Sequence, residues 1–167
     1  MEVWMEKEDR DIITKHLNKE DIMLEWGSGG STLYFSKYVK EYYSIEHNKE
    51  WYWEIRKEIE KYGYSNIHLF FIPNNAPRTL PTKPEQFKDY IEFVNKLEIL
   101  HFNKVLIDGR ARQWCAQEVL PYLTQDSLVF IHDWVRSGYH WILQWYDEVE
   151  KSKSAKNSTG VLKKKND

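Results

Sequence analysis

The chain has 167 residues and a formal net charge of -2 at neutral pH, with 41% hydrophobic and 30% charged residues. This balance is typical of a globular protein, and the length predicts a single domain over residues 1–167. The sequence pI near 6.3 argues against a nucleic-acid substrate, because no overall positive field attracts a phosphate backbone. Cys115 is the only cysteine, which excludes an intrachain disulfide.

The sequence also argues against a membrane protein. No apolar run reaches the roughly 20 residues that a helix needs to cross a bilayer. The first ten residues are mostly charged and lack the apolar core of a secretory signal. We therefore expect a cytoplasmic protein without a membrane partner.

The first half of the chain alternates between helical and strand patterns. Apolar spacing and turn residues predict helices and strands in the following order: helix Glu6–Leu17, strand Asp21–Trp26, helix Ser31–Val39, strand Glu41–Glu46, helix Trp51–Tyr62 and strand Asn66–Ile72. Gly63 follows the third helix, where glycine readily adopts the left-handed conformation that ends a helix.

The second half continues the alternation after an extended connection that contains Pro73, Pro77 and Pro81. The predicted elements are a helix from Pro84 to Leu97, strand Lys104–Asp108, helix Ala111–Leu120, strand Ser127–Ile131, helix Tyr139–Trp145, and two closing strands, Asp147–Lys153 and Gly160–Lys165, around a polar turn at Ser154–Thr159. Helices between strands imply parallel pairing, so we expect a three-layer, doubly wound α/β fold.

In such a fold, ligands bind beyond the carboxyl ends of the strands, and the first of these ends is rich in glycine. Residues 25–32 read EWGSGGST. A dinucleotide-binding turn would have glycine at position 32, where Thr32 stands, and the lysine of a phosphate-binding P-loop is absent. Glu25 is unsuited to a pyrophosphate, but its charge suits the cationic amino end of S-adenosylmethionine.

Glu46 ends the second strand about twenty residues downstream, where a carboxylate can accept both ribose hydroxyls. The alternative is that Glu25 and Glu46 are solvated strand-end carboxylates without a ligand. The predicted cofactor contacts are Glu25, Trp26, Gly27, Ser28, Gly29, Ser31, Thr32, Glu46, His47 and Asp108.

Four stretches of the sequence resemble the class I S-adenosylmethionine-dependent methyltransferases. They are residues 24–32 (LEWGSGGST), 44–48 (SIEHN), 105–112 (VLIDGRAR) and 129–134 (VFIHDW). The chain is especially similar to small members encoded by large algal viruses, and to plant and bacterial relatives that act on carbohydrate hydroxyls. The resemblance implies a mostly parallel seven-stranded sheet with a reversed last strand. For a viral protein, it also implies a location in the cytoplasm of the host cell. The chain departs from the family at Ser31, where the third glycine of the first motif is usual.

An alcohol needs a base or a metal ion before it attacks a methyl group. Asp108 and Asp133 follow neighbouring strands, and their hard oxygen atoms suit Mg²⁺ or Mn²⁺. In the metal-dependent O-methyltransferases that the chain resembles, acids at these strand ends bind the ion, although the second site usually reads Asp-Asn rather than His132-Asp133. His132 is the predicted base, and Asp108, His132 and Asp133 are the predicted catalytic residues. Asp133 has a second interpretation as the N-cap of a following helix.

The sequence therefore predicts an O-methyltransferase that acts on a sugar hydroxyl of a glycan or nucleotide-sugar. Four residues with flat rings and polar edges follow His132 and Asp133 in the sequence and suit such an acceptor: Trp134, Tyr139, His140 and Trp141. The alternatives are a small acceptor other than a sugar, a non-catalytic cofactor-binding module that supports a partner enzyme, and a nicotinamide-dependent oxidoreductase, which Thr32 disfavours.

Overall fold

The structure, a computed structural model, describes residues 1–154 and 156–166. Its strands are β1 (Ile22–Trp26), β2 (Glu41–Glu46), β3 (Ile67–Phe71), β4 (Phe102–Ile107), β5 (Leu123–Ile131), β6 (Tyr146–Lys151) and β7 (Gly160–Lys164). Its α-helices are α1 (Lys7–Thr14), α2 (Gly30–Phe35), α3 (Lys49–Tyr62), α4 (Lys88–Glu92) and α5 (Arg112–Glu118).

All seven strands form one sheet in the order β3-β2-β1-β4-β5-β7-β6. Strands β1 to β5 pair in parallel, whereas β7 is antiparallel to both β5 and β6. The predicted seven-stranded α/β sheet with a reversed last strand is therefore confirmed. Strand order reverses at β1, which places a crevice at the carboxyl ends of β1 and β4.

The central strands bury both of their faces, and alternate residues enter opposite cores. Leu24 and Val105 lie in the core beneath α4 and α5, while Met23 and Leu106 lie with Ile13 of α1 in the opposite core. This alternation produces the three layers that the sequence predicts. Within the described residues, none of the helices combines the length and apolar character that a bilayer crossing requires.

Several predicted helices are shorter or more tightly wound than their patterns suggest. The helix predicted over Ser31–Val39 is α-helical only to Phe35, the helix after Pro84 is α-helical only in α4, and the one predicted at Tyr139–Trp145 is a 3₁₀ helix over Ser137–Gln144. Aromatic and β-branched residues are common in these segments and have lower α-helix propensity, which favours short 3₁₀ turns.

Strand β5 begins at Leu123 rather than at the predicted Ser127. Residues 124–126 are polar and exposed, so the apolar pattern did not indicate their strand conformation. The register between β4 and β5 is irregular between Phe102 and Lys104, and Ser127 Oγ donates to the Phe102 carbonyl at 2.6 Å. Ala155, inside the predicted Ser154–Thr159 turn, lies outside the described residues, as does Asp167.

Candidate active site

A cavity of about 660 Å³ lies at the carboxyl ends of the central strands. We call it the main cavity. Its walls come from the turn after β1, the residues after β2, β4 and β5, and an N-terminal segment, residues 2–5, that lies across the start of α2. The predicted site residues that line it are Gly27, Ser28, Gly29, Ser31, Glu46, His47, Asp108, His132 and Asp133. Glu25, Trp26 and Thr32 do not line it.

The turn after β1 is held against the turn after β4 by two glycines. Gly27 has a φ of +96°, and a Cβ at this position would overlap the backbone of Gly109. The backbone N–H groups of Asp108 and Gly109 both donate to the Trp26 carbonyl, at 2.9 and 2.8 Å. Glycine at Gly27 therefore permits the close approach that brings Asp108 beside the glycine-rich turn.

Glu25 lies beneath the glycine-rich turn, which corrects the expectation that its carboxylate contacts the cofactor directly. Ser31 and Thr32 each donate to it at 2.5 Å, and Ser44 donates at 2.6 Å. Burial raises the pKa of Glu25 from its ordinary 4.5 to about 7, although these three hydroxyl groups lower it in part. These contacts support a role for Glu25 in fixing the shape of the turn.

Trp26 and Thr32 also have structural roles in place of the predicted cofactor contacts. The Trp26 side chain is fully buried and its Nε1 donates to the Tyr90 carbonyl at 2.9 Å, which ties β1 to α4. The Thr32 hydroxyl bonds to Glu25 and accepts the Gly29 N–H at 2.9 Å. Both side chains therefore hold the turn from its inner side.

Glu46 faces the main cavity with one oxygen atom already bonded. Its Oε1 accepts the N–H groups of His47 and Asn48 at 2.9 and 2.7 Å, and its side chain is only 4% exposed. Within residues 1–154 and 156–166, Oε2 has no hydrogen-bond partner. The two backbone bonds fix the carboxylate in place, so that Oε2 can accept ligand hydroxyl groups.

His132 lies between two carboxylates on the opposite side of the cavity. Its Nδ1 is 2.9 Å from Asp108 Oδ1, and its buried Nε2 is 3.7 Å from Oδ2 of Asp9, a fully buried residue of α1. Burial lowers the pKa of His132, but the hydrogen bond and charge of Asp108 and the charge of Asp133 more than offset this effect, so the pKa is raised above 6.5. Both ring nitrogens face carboxylates rather than open cavity, and this favours the protonated imidazolium.

Arg112 occupies the position between the two predicted metal ligands. Its Nη2 lies 3.2 Å from Asp108 Oδ1 and 3.2 Å from Asp133 Oδ2, and its Nη1 donates to the His132 carbonyl. Across the described part of the chain, no group of three histidine, cysteine or acidic side chains is arranged to hold an ion. These residues do not fit a divalent metal, because the guanidinium already supplies the positive charge that the two carboxylates require.

Asp133 has a constrained backbone and a crowded carboxylate. Its φ is +59°, and its Oδ2 lies 2.9 Å from Arg136 Nη2 as well as close to Arg112. Asn157, oriented with its amide nitrogen toward Asp133, donates to Oδ1 at 3.1 Å. The next helix begins at Ser137 with Arg136 as its N-cap, so the N-cap interpretation of Asp133 is wrong.

The aromatic residues at the cavity differ from those that the sequence indicated. None of Trp134, Tyr139, His140 and Trp141 lines the main cavity, and Trp134 is a core residue with 1% exposure. Instead, Trp4 and Trp51 line it, with ring centroids 5.2 Å apart, and Trp51 Nε1 donates to the Ser28 carbonyl. Trp4 is 77% exposed.

The sequence analysis missed three parts of the site: Asp9, Arg112 in its bridging position, and the N-terminal segment with Trp4. Asp9 carried the clearest available signal, since its spacing places it on the same face of α1 as the buried Ile12 and Ile13. The position of Trp4 depends on a contact with the distant Trp51, and local periodicity gives no indication of that contact.

Comparison with known proteins identifies the fold. No protein-family profile and no curated protein sequence matches the chain. Among solved structures, a methyltransferase-like protein from Silicibacter pomeroyi superposes with a TM-score of 0.75 at 19% identity, over 97% of this chain and 88% of that one. A methyltransferase candidate from Streptococcus mutans was solved in complex with SAH (S-adenosylhomocysteine). It superposes with a TM-score of 0.67 at 11% identity, over 96% of this chain and 100% of that one.

A precorrin-6y C5,15-methyltransferase from Geobacter metallireducens gives a TM-score of 0.67 at 14% identity, over 97% of this chain and 90% of that one. Identities this low establish the architecture rather than the substrate. The chain therefore has the Rossmann-like α/β fold of the class I methyltransferases.

Proposed function

We propose that the chain is an S-adenosylmethionine-dependent O-methyltransferase whose acceptor is a sugar hydroxyl of a glycan or nucleotide-sugar. One observation carries this proposal. The main cavity joins Glu46 and the glycine-rich turn on one side with Asp108 and His132 on the other, so cofactor and acceptor sites share one space. The neighbours' fold supports the same general activity.

The residues on the cofactor side fit S-adenosylmethionine. Glu46 Oε2 is available for the ribose hydroxyl groups, and the turn at Gly27–Gly30 lets a ligand approach the backbone closely. Glu2, Glu50 and Glu54 also line the cavity and supply negative charge for a cationic ligand. The cofactor supplies an electrophilic methyl group on a positively charged sulfur atom.

Asp108 is the residue best placed to meet the acceptor hydroxyl. Its side chain is 22% exposed, lines the main cavity, and uses only Oδ1 to bind His132 and Arg112. Asp108 Oδ2 then accepts the hydroxyl proton while the acceptor oxygen bonds to the methyl carbon and the carbon–sulfur bond breaks, leaving its electron pair on sulfur. His132 and Arg112 position Asp108 and stabilise its charge. This proposal replaces His132 with Asp108 as the base, since both ring nitrogens of His132 lie next to carboxylates.

The carbohydrate acceptor is supported by the rings at the cavity rim. Trp4 and Trp51 line the main cavity, and aromatic rings pack well against the apolar faces of sugars. A small acceptor other than a sugar would use the same Asp108 chemistry without needing this aromatic pair.

The cofactor proposal is tested by calorimetry with SAH. We expect the chain to bind SAH, and Glu46→Gln to weaken binding about tenfold or more, because hydrogen bonds to charged groups contribute about 1.5–3 kcal/mol. Glu20→Gln, which changes an exposed carboxylate far from the cavity, is the matched control. Absence of binding by the folded, unmodified chain would disprove the proposed function.

Metal dependence is tested separately, by methyl transfer from labelled S-adenosylmethionine to a panel of sugars and small phenols. Because Arg112 bridges Asp108 and Asp133, we expect turnover to be unchanged when a chelator is added. Loss of turnover in chelator, with recovery on adding Mg²⁺ or Mn²⁺, would instead support the metal site that the sequence predicts.

A further inference from the structure

A second cavity of about 400 Å³ adjoins the main one, and we call it the side cavity. The two cavities share the lining residues His47, Asn48, Glu50 and Arg110, which form the wall between them. Since His47 directly follows Glu46, a ribose bound at Glu46 lies next to the side cavity. Its apolar surface, formed by Phe71, Pro73 and Phe87, suits the flat base attached to that ribose.

Two arginines of the side cavity, Arg110 on the shared wall and Arg78, have no partner for their charge among the described residues. Within residues 1–154 and 156–166, the guanidinium groups of Arg110 and Arg78 make no hydrogen bond or ion pair. Of the other arginines, Arg112 and Arg136 bind Asp133, Arg56 binds Glu60, and Arg10 donates to the Met5 carbonyl. Arg110 is half-buried, and burial together with the neighbouring charge of Arg78 lowers its pKa. Arg78 is exposed, and its repulsion with the half-buried Arg110 is relieved when an anion binds to both guanidinium groups.

The loop that carries Arg78 is tied by specific hydrogen bonds to α4 and to the 3₁₀ turn that precedes it, Pro84–Phe87. The side-chain amide of the buried Gln86 donates to the carbonyl of Pro77, which directly precedes Arg78. The Asn75 N–H donates to the Gln86 carbonyl at 2.8 Å. Asn75 also donates from its side chain to Asp89 at 2.8 Å. Arg78 therefore projects from a loop with a defined position beside Arg110.

The charges that line the side cavity are predominantly positive. Among the described lining residues of the side cavity, Lys49, Arg78 and Arg110 are cationic, and Glu50 is the acidic residue. By contrast, the cofactor side of the main cavity carries Glu2, Glu46 and Glu54. The cavity system therefore has an acidic side for a cationic cofactor and a basic side for a ligand of the opposite charge.

We propose that the acceptor carries an anionic group, phosphate or carboxylate, which binds to Arg110 on the shared wall and to Arg78 of the side cavity. This inference rests on the proposed function and narrows the acceptor class to anionic saccharides, such as sugar phosphates, nucleotide-sugars or uronic acids. The planar guanidinium presents paired N–H donors that match the oxygen atoms of either group. With the anion held there, a sugar hydroxyl can reach Asp108, which precedes Arg110 by two residues in the same turn.

The test measures binding of glucose 1-phosphate, glucuronate and glucose to the SAH-saturated protein by calorimetry, with inorganic pyrophosphate as a probe that contains no sugar. At least one anionic probe is expected to bind about tenfold or more tightly than glucose, and Arg110→Gln or Arg78→Gln is expected to remove most of that difference. Arg56→Gln, which alters a paired surface arginine on α3, should leave every affinity unchanged. Comparison of glucose 1-phosphate with glucuronate distinguishes phosphate from carboxylate recognition.

Three results would overturn this inference. The first is that none of the three anionic probes binds, and the second is that the anionic probes bind no more tightly than glucose. The third is that Arg110→Gln lowers the affinity for SAH as much as it lowers the affinity for the anionic probes. The last result would assign the arginines to the cofactor. If the unmodified protein does not bind SAH at all, the proposed function fails first, and this outcome is distinct from SAH binding without anion binding.

Discussion

At the scale of single residues, the site depends on which atoms remain available for a ligand. Asp108 and Glu46 each use one carboxylate oxygen within the protein and leave the other without a partner among the described residues. His132 directs its two nitrogens toward Asp108 and Asp9. A carboxylate with one fixed and one available oxygen is suited to contact a ligand, whereas a histidine enclosed by two acids is suited to position one of them.

This difference predicts unequal effects of two substitutions on turnover. Asp108→Asn should lower kcat about a hundredfold or more, because a general base typically contributes 10²–10⁴-fold, and should leave SAH affinity nearly unchanged. His132→Gln should lower kcat by about tenfold and alter the pH profile, since it acts only through Asp108. His101→Gln, at an exposed position, is the control. An equal or larger loss of kcat in His132→Gln would show that His132 takes the proton directly.

At the scale of elements, the N-terminal segment and α2 form one wall of the main cavity together. The segment passes so close to Gly30 that a Cβ there would overlap the Glu2 carbonyl oxygen and crowd Val3. At the adjacent Gly29, the nearest heavy atom to such a Cβ would be 3.7 Å away. The two neighbouring glycines therefore make a matched pair for testing this contact.

We expect Gly30→Ala to lower the free energy of unfolding by about 1–3 kcal/mol, as overpacking does, and to speed proteolytic cleavage of residues 1–6. Gly29→Ala should leave stability and cleavage close to those of the unmodified chain. Chemical denaturation and limited proteolysis measure the two effects. Equal behaviour of both variants would mean that the N-terminal segment is not held against α2.

At the scale of the whole molecule, stability depends on pH through the buried Glu25. The folded protein retains the Glu25 proton up to about pH 7, whereas the unfolded chain releases it near 4.5. The stability that this proton contributes is complete below pH 4.5 and is lost as the pH rises to about 7. His132, whose pKa is also raised, acts in the same direction at higher pH.

The free energy of unfolding should therefore fall between pH 4.5 and 7, with a Glu25 contribution of up to about 3 kcal/mol. Glu25→Gln should flatten this part of the curve, because an amide does not titrate. Urea denaturation across this pH range measures the change, with Glu20→Gln as the exposed control. If both variants retain the slope of the unmodified chain, Glu25 does not titrate in this range.

The sheet could be predicted from the sequence because each central strand is a short apolar run that ends in a recognisable turn. Residues 22–26, 104–107 and 127–131 have this pattern, and all of them lie in parallel strands. The exposed polar start of β5 lacks this pattern, so its beginning was not predicted. The apolar residues of the 3₁₀ helices are spaced like those of α-helices, so the type of helix was not predicted either. Local spacing therefore predicted the elements better than their ends.

The site was predicted less completely, because strand-end position identifies a location but not the direction of a side chain. Glu46 and Asp108 face the main cavity as expected, yet Glu25, at an equivalent strand end, is enclosed by three hydroxyl groups. Asp9 reaches His132, and Arg112 reaches Asp133, from distant parts of the chain, and contacts of this kind depend on tertiary structure.

Arg112 also has a consequence for inhibition. A guanidinium that belongs to the polypeptide cannot be exchanged, withdrawn or replaced by a competing ion, so hydroxamates and catechols that act by capturing a catalytic metal would find nothing to coordinate between Asp108 and Asp133. Under the function and acceptor proposed above, blocking compounds would instead combine a cationic group for Glu2, Glu50 and Glu54 with an anionic group for Arg110.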